Sequence, residues 1–367
     1  MCDIRDRGFE RLQVASAGLA KAADLADVLQ GGGLQFARRR RFARTTEGLD
    51  ASAHAATVKR MPPSRQATPT GARMARLAVV ALLAFFLGIA LALAIDIVRS
   101  GGPEPWLARR GLAAPYARLG EQVDIGGRSI YLDCRGEGSP TVVLDAGMGG
   151  GADSWGSVLD GLAQTTRTCA YDRPGRGTSP PRGRHTLADT AADLRAALGA
   201  AGETAPFILV GHSHGGNYVR VFTDRYRRDV AGIVLVDTFD PDIEETRIDP
   251  LLGTLQPEYK SQLDGLRGLV AKVEDLDWPA SELELRASSV AGTPTEVLRA
   301  PRYDPRLDAA TNESVAAAWI AGYESLSPGA MHYEIAPGAG HLIQLDRPDL
   351  VIAATRRLVD AARAASR

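Results

Sequence analysis

The sequence predicts an α/β fold: a mostly parallel eight-stranded sheet with helices on both faces, a helical lid after the sixth strand and an N-terminal transmembrane helix. Three observations carry this. From residue 121 onward short apolar, β-branched runs alternate with amphipathic stretches, the pattern of parallel strands joined by crossover helices. One of those runs, Phe207–Val210, passes without a gap into Gly211-His-Ser-His-Gly215 and then into a segment with apolar positions at helical spacing, Asn217–Asp224. Ahead of all of them lie nineteen uncharged, overwhelmingly apolar residues, Leu77–Ile95, enough at 1.5 Å rise to cross a hydrocarbon core of about 30 Å.

The 367 residues, 45% hydrophobic, suffice for one sizeable α/β domain plus extra segments. The net charge of -1 conceals an asymmetry. Residues 1–76 carry 14 basic and 7 acidic side chains, including Arg38-Arg-Arg-Arg41, whereas residues 77–367 carry 29 basic and 37 acidic ones. The globular part is therefore acidic, which argues against a nucleic-acid partner. The tail, 1–76, lacks sustained periodicity and is expected to be disordered. Arg73 and Arg76 make its end basic, so the positive-inside rule places it in the cytoplasm and the remainder beyond a membrane spanned by 77–98. Ala92-Leu-Ala94 also resembles a signal-peptide cleavage site, which leaves a secreted form as the alternative. Met61 and Met74 are alternative starts. Residues 99–120, with Pro103, Pro105 and Pro115, read as a linker.

The sheet elements follow in order. Gln122–Ile125 and Arg128–Cys134 flank a Gly126-Gly127 turn, the signature of a hairpin. Thr141–Asp145 is apolar enough to be buried on both faces. A helix from Trp155 to Ala163 precedes a fourth strand, Arg167–Asp172. An amphipathic helix, Leu187–Leu198, precedes the fifth, Phe207–Val210, and Val230–Asp237 is the sixth. Residues 240–292, rich in Asp, Glu, Leu and Pro, interrupt the alternation and predict the mostly helical lid. Thr295–Arg299, a helix over Val315–Leu326, a strand at His332–Ile335 and a helix over Leu350–Ala364 complete the domain, 121–367.

The chemistry centres on Ser213. Glycines two residues either side let strand and helix approach closely at a turn that presents the hydroxyl, the G-x-S-x-G elbow. A serine hydroxyl needs a base, and His341, in a Gly-Ala-Gly-His loop past the last strand, lies on the strand-end side where the elbow points. His212 and His214 read as packing residues. Two aspartates can orient the base: Asp237, ending the sixth strand, and Asp304, beyond the seventh, which Arg302 and Arg306 could instead pair. An oxyanion needs fixed donors. The N–H of His214 is one, and Met148, in the glycine-rich loop Asp145-Ala-Gly-Met-Gly-Gly-Gly151, supplies the second. No G-x-G-x-x-G opens a helix here, so a dinucleotide loop is disfavoured.

Taken together, Asp145-Ala-Gly-Met-Gly-Gly, Tyr171-Asp-Arg-Pro-Gly-Arg-Gly-Thr-Ser179, Gly211-His-Ser-His-Gly-Gly216 and Gly338-Ala-Gly-His341 resemble the α/β-hydrolase fold serine hydrolases over residues 120–364. The resemblance implies a triad of Ser213, His341 and an acid, with the Met148 and His214 N–H groups as the oxyanion hole, and no cofactor or metal. Asp304 lies 37 residues before His341, farther than the family's usual spacing, which favours Asp237, a position that a subset of the family uses. Serine at the nucleophile position disfavours the dehalogenase and epoxide hydrolase branches. The family's strand order makes Cys134 and Cys169 cross-strand neighbours, either disulfide-bonded or buried thiols. The implied activity is hydrolysis of small-molecule carboxylic esters or lactones, with the 240–292 segment and Trp278 shaping the pocket. An aminopeptidase-like amide hydrolase and a catalytically silent binding module are the alternatives.

Overall fold

In the computed structural model the described residues are 116–366. The tail, the apolar run at 77–98 and the linker up to residue 115 lie outside them. Among the described residues no helix is long and apolar enough to cross a membrane.

Eight strands form one sheet: β1 (Glu121–Asp124), β2 (Ser129–Arg135), β3 (Thr141–Asp145), β4 (Thr168–Tyr171), β5 (Phe207–His212), β6 (Val230–Val236), β7 (Thr295–Arg299) and β8 (Met331–Ile335). Their order is β1-β2-β4-β3-β5-β6-β7-β8. β1 and β2 pair antiparallel, as do β2 and β4; every other pairing is parallel. Among the described residues the helices of eight or more residues are α1 (Gly156–Ala163), α2 (Leu187–Ala200), α3 (Gly215–Arg225), α4 (Gln256–Glu274), α5 (Trp278–Ala287), α6 (Ala309–Leu326) and α7 (Pro348–Ala365).

The strands separate two cores by their two-residue period. Val142, Leu144, Ile208, Val210, Val234 and Val236 face one side, where Leu159 of α1 and Val351 and Val359 of α7 cover them. Val143, Leu209, Ile233 and Leu235 face the other, against Leu194 of α2, Phe222 of α3 and Trp319 of α6. Being buried from both sides, β3 and β5 have no solvent face, which is why Val142–Leu144 and Phe207–Val210 read as unbroken apolar runs.

Element starts follow local caps. At α2 the Thr186 side chain accepts the Asp189 N–H while Asp189 accepts that of Thr186, a reciprocal capping box. α6 starts six residues before the expected Val315 because Asp308 caps it, accepting the Thr311 N–H at 2.7 Å. Its first turns are exposed or half-buried, so they carry no apolar periodicity to read. The segment after β6 is helical as expected. It begins in short turns from Pro241 and continues through α4 and α5, which pack on Leu187 of α2 and on Tyr218 and Val221 of α3 through Val270, Leu276, Trp278 and Leu285.

Cys134 and Cys169 face each other directly in the β2–β4 register and form a disulfide, with an S–S distance of 2.04 Å. The bond links the antiparallel β1–β2 edge to the parallel part of the sheet.

Candidate active site

β5 ends at His212, and α3 begins at Gly215. Ser213 sits between them with φ of 52°, a left-handed conformation that non-glycine residues rarely adopt. Its N–H bonds the Val236 carbonyl at 2.9 Å, which pins the turn to the end of β6. Residues 211, 212, 214, 215 and 216 are buried, and Ser213 alone among them is partly exposed. The glycines make this crossing possible. A Cβ on Gly211 would lie 2.5 Å from Gly216 Cα, and one on Gly215 would lie 2.5 Å from the Ala146 carbonyl oxygen.

His341 follows β8 on the Pro337-Gly-Ala-Gly loop. Its Nε2 is 3.0 Å from Ser213 Oγ, and its Nδ1 is 2.7 Å from Asp237 Oδ2. The loop is fixed from behind in two places. Asp346 accepts the Gly340 N–H at 2.7 Å, and the His341 carbonyl is 2.8 Å from His212 Nε2. His212 is buried with its ring 4.7 Å from that of His341. Burial, reinforced by the neighbouring His341, pushes its pKa down to about 3, so the neutral ring donates its Nε2–H to that carbonyl.

Asp237 directly follows β6 and is 1% exposed. Its Oδ2 also accepts from Arg302 Nη2 at 3.0 Å, and its Oδ1 accepts the Ala300 N–H at 3.2 Å. Arg299 Nε lies 3.5 Å away. Burial works against the charge, yet Arg302, Arg299 and His341 hold the carboxyl well below the usual carboxylate range. Asp304 lies elsewhere in the network: its carboxylate accepts from Arg306 Nε and Nη2 at 3.0 and 2.9 Å. Arg306 thus pairs Asp304 as the sequence suggested, while Arg302 turns to Asp237.

The loop after β3 crosses directly over the elbow, since a Cβ on Gly147 would stand 2.8 Å from His212 Nδ1 and 3.4 Å from Ser213 Cβ. Met148 is the next residue, partly buried against the apolar cluster that includes Tyr218, Leu276 and Trp278. His214 caps α3 and turns its ring inward onto Tyr218 and Trp278, with centroids 5.0 and 5.8 Å apart. Burial lowers its pKa to about 4, so its ring is a neutral packing group.

Behind the loop lies a buried cluster that sequence reasoning did not isolate. Arg173 donates to Asp145 Oδ1, the Ala146 carbonyl and the Gly147 carbonyl at 2.5, 2.5 and 2.7 Å, and to Glu274 Oε1 at 2.8 Å. Glu274, the last residue of α4, accepts the Gly149 N–H at 2.6 Å through the same oxygen. Burial pushes Asp145 up to about 6; for Glu274 burial is outweighed by Arg173, which brings it down to about 2. Arg173 stood within the Tyr171–Ser179 motif, so a signal existed for it. Glu274 lies in a segment with no motif.

The chain of contacts from Asp237 through His341 to Ser213 can carry a proton from a hydroxyl to an imidazole whose other nitrogen is held by a carboxylate. Among known proteins, the model of the alpha/beta hydrolase family matches residues 142–354. Curated relatives match short stretches. "Probable transporter efuK" of Hormonema carpetanum is 33% identical over 125 residues, 32% of this chain and 18% of that protein. "Putative carbamate hydrolase RutD" of Enterobacter cloacae is 41% identical over 81 residues, 22% of this chain and 30% of that one. The match thus spans less than a third of either relative's length. A thermophilic esterase from Thermogutta terrifontis is similar in structure at 21% identity and a TM-score of 0.43, covering 66% of this chain and 98% of that one.

Proposed function

Since the chain belongs to the alpha/beta hydrolase family, we propose that it is a serine hydrolase that cleaves carboxylic esters or lactones through an acyl-enzyme. The observation that carries the reading is the unbroken hydrogen-bonded series Ser213–His341–Asp237, at 3.0 and 2.7 Å. Ser213 Oγ attacks the substrate carbonyl carbon as its proton passes to His341 Nε2. Asp237 keeps the His341 proton on Nδ1 and stabilises the imidazolium without taking that proton. The carbonyl oxygen becomes an oxyanion, received by the N–H groups of Met148 and His214. His341 then protonates the leaving alcohol, the C–O bond breaks, and water attacks the acyl-Ser213 ester with His341 as base.

In this reading Asp237, rather than Asp304, is the acid of the triad, because the Nδ1 side of His341 is filled by Asp237. The helices from Pro241 to Ala287 serve as the lid, and Trp278, packed on His214, forms a wall of the substrate pocket. The apolar run at 77–98 anchors the chain with this domain outside the membrane, which suits the Cys134–Cys169 disulfide, since such bonds persist in oxidising compartments. A fluorophosphonate probe tests the core of the proposal. Labelling of wild type that disappears in Ser213→Ala is expected. No labelling of wild type, or equal labelling of the variant, refutes it. Hydrolysis across esters of graded acyl length, a lactone and a carbamate then identifies the substrate.

A further inference from the structure

We infer that Glu274, acting with Arg173, is a positioning residue for the reaction: the two side chains clamp the loop after β3 and so set where the Met148 N–H stands. The inference rests on the serine hydrolase reading and extends it to the inserted helices. Five consecutive residues of the loop matter, and four of them are held. Arg173 takes the Asp145 carboxylate and the carbonyls of Ala146 and Gly147. Glu274 takes the N–H of Gly149. Met148 lies between the two grips, next to the Gly147 backbone that rides over Ser213.

The clamp is closed by the bond between its own halves, Arg173 Nη2 to Glu274 Oε1 at 2.8 Å, and is buried, with both side chains 1 to 2% exposed. Arg173 is further seated on the Tyr218 ring, 4.7 Å from its centroid. A loop with glycines at 147, 149, 150 and 151 has many conformations of its own. Charge-assisted bonds at both ends remove that freedom before substrate arrives, which is what a preorganised donor requires. Glu274 is also the C-terminal residue of α4. Movement of that helix away from the sheet pulls on Gly149 directly, so the state of the inserted segment is transmitted to the oxyanion donor.

The test compares the full chain with Glu274→Ala, Glu274→Gln and Arg173→Lys in p-nitrophenyl acetate hydrolysis, fluorophosphonate labelling rate and thermal melting. Glu274→Ala is expected to lose about 30- to 100-fold in kcat with KM within about threefold, as for a donor displaced by ~1 Å, and to label more slowly by a similar factor. Glu274→Gln is expected to stay within about fivefold, since its amide oxygen still accepts the Gly149 N–H. A folded Glu274→Ala with kcat within twofold of wild type, or with its loss carried by KM, overturns the clamp. If Glu274→Ala does not fold, Arg173→Lys decides. It keeps the charge but loses the fork that spans two carbonyls, so a tenfold lower kcat at unchanged KM supports the inference and wild-type kcat overturns it. Wild type that is not labelled at Ser213 sinks the hydrolase reading and this inference together; labelled wild type with unaffected variants sinks this inference alone.

Discussion

A single methyl group added at Gly215 tests whether the elbow and the loop over it are one packed unit. Built on the backbone, that Cβ lies 2.5 Å from the Ala146 carbonyl oxygen and closer still to that of Asp145, where ordinary contact begins at 3.4 Å. Something must yield by about 1 Å, and both obstacles are backbone. The Ala146 carbonyl is also the one that Arg173 grips, so retreat of the loop strains the clamp. Overpacking of this kind costs ~1–3 kcal/mol, against a gain of ~0.4–1 kcal/mol from the stiffer unfolded chain. Gly215→Ala should therefore lose about 1–2 kcal/mol of stability in urea unfolding. Through displacement of the Met148 loop it should also lose on the order of 10²-fold in esterase kcat. Gly265→Ala is the control: it lies on an exposed part of α4, and its Cβ would meet nothing within 4 Å, so a gain of ~0.5–1 kcal/mol is expected. If Gly215→Ala unfolds at the same urea concentration as Gly265→Ala and keeps more than half the activity, the close approach is not real.

Two further outcomes follow from the site. Asp237→Asn should lower kcat by ~10⁴-fold through loss of the correct His341 tautomer. Asp304→Asn, whose carboxylate is occupied by Arg306, should stay within about threefold; steady-state kinetics showing the reverse order would put the acid at Asp304. His212 and His214, with folded values of about 3 and about 4, lie below the free imidazole value of about 6.5. The unfolded chain therefore binds protons first on acidification. Their contribution to stability is complete above pH ~6.5 and is lost as pH falls through 4 and then 3. In an NMR titration from pH 8 to 5 their ring resonances should not move, and a midpoint near pH 6.5 for either one contradicts the burial described.

The parts of this molecule written in local sequence were legible, and those made by contact between distant segments were not. β3 and β7 match their expected limits, Thr141–Asp145 and Thr295–Arg299, because each is a short run around two or three apolar residues that starts directly after a proline, Pro140 and Pro294. Ser213 and His341 were named from their turns, since a strand–glycine–helix junction and a Gly-Ala-Gly loop are short-range signals. For the orienting aspartate the residues alone left two candidates, and only the spacing to His341 expected from the family resemblance favoured Asp237, because which strand end reaches His341 across the sheet is not a local property. The contacts of Glu274 with Gly149 and of Arg302 with Asp237 left no trace. Each acts through one long side chain whose partner lies more than sixty positions away, and single-sequence periodicity holds no information at that range.

Ser213 and Asp237 share one more property: φ of 52° and 41° places both in the left-handed region. Such a conformation costs on the order of 1–3 kcal/mol for each side chain that bears a Cβ, and glycine would adopt it freely. Among the described non-glycine residues only Asp275 joins them at positive φ, so the positions assigned to attack and to charge balance are two of the three that the backbone would most readily surrender. Ser213→Gly should give an inert protein that survives more denaturant than its parent. Selection for durability alone would erase the chemistry first, and turnover must be selected for continually to keep a serine at that corner.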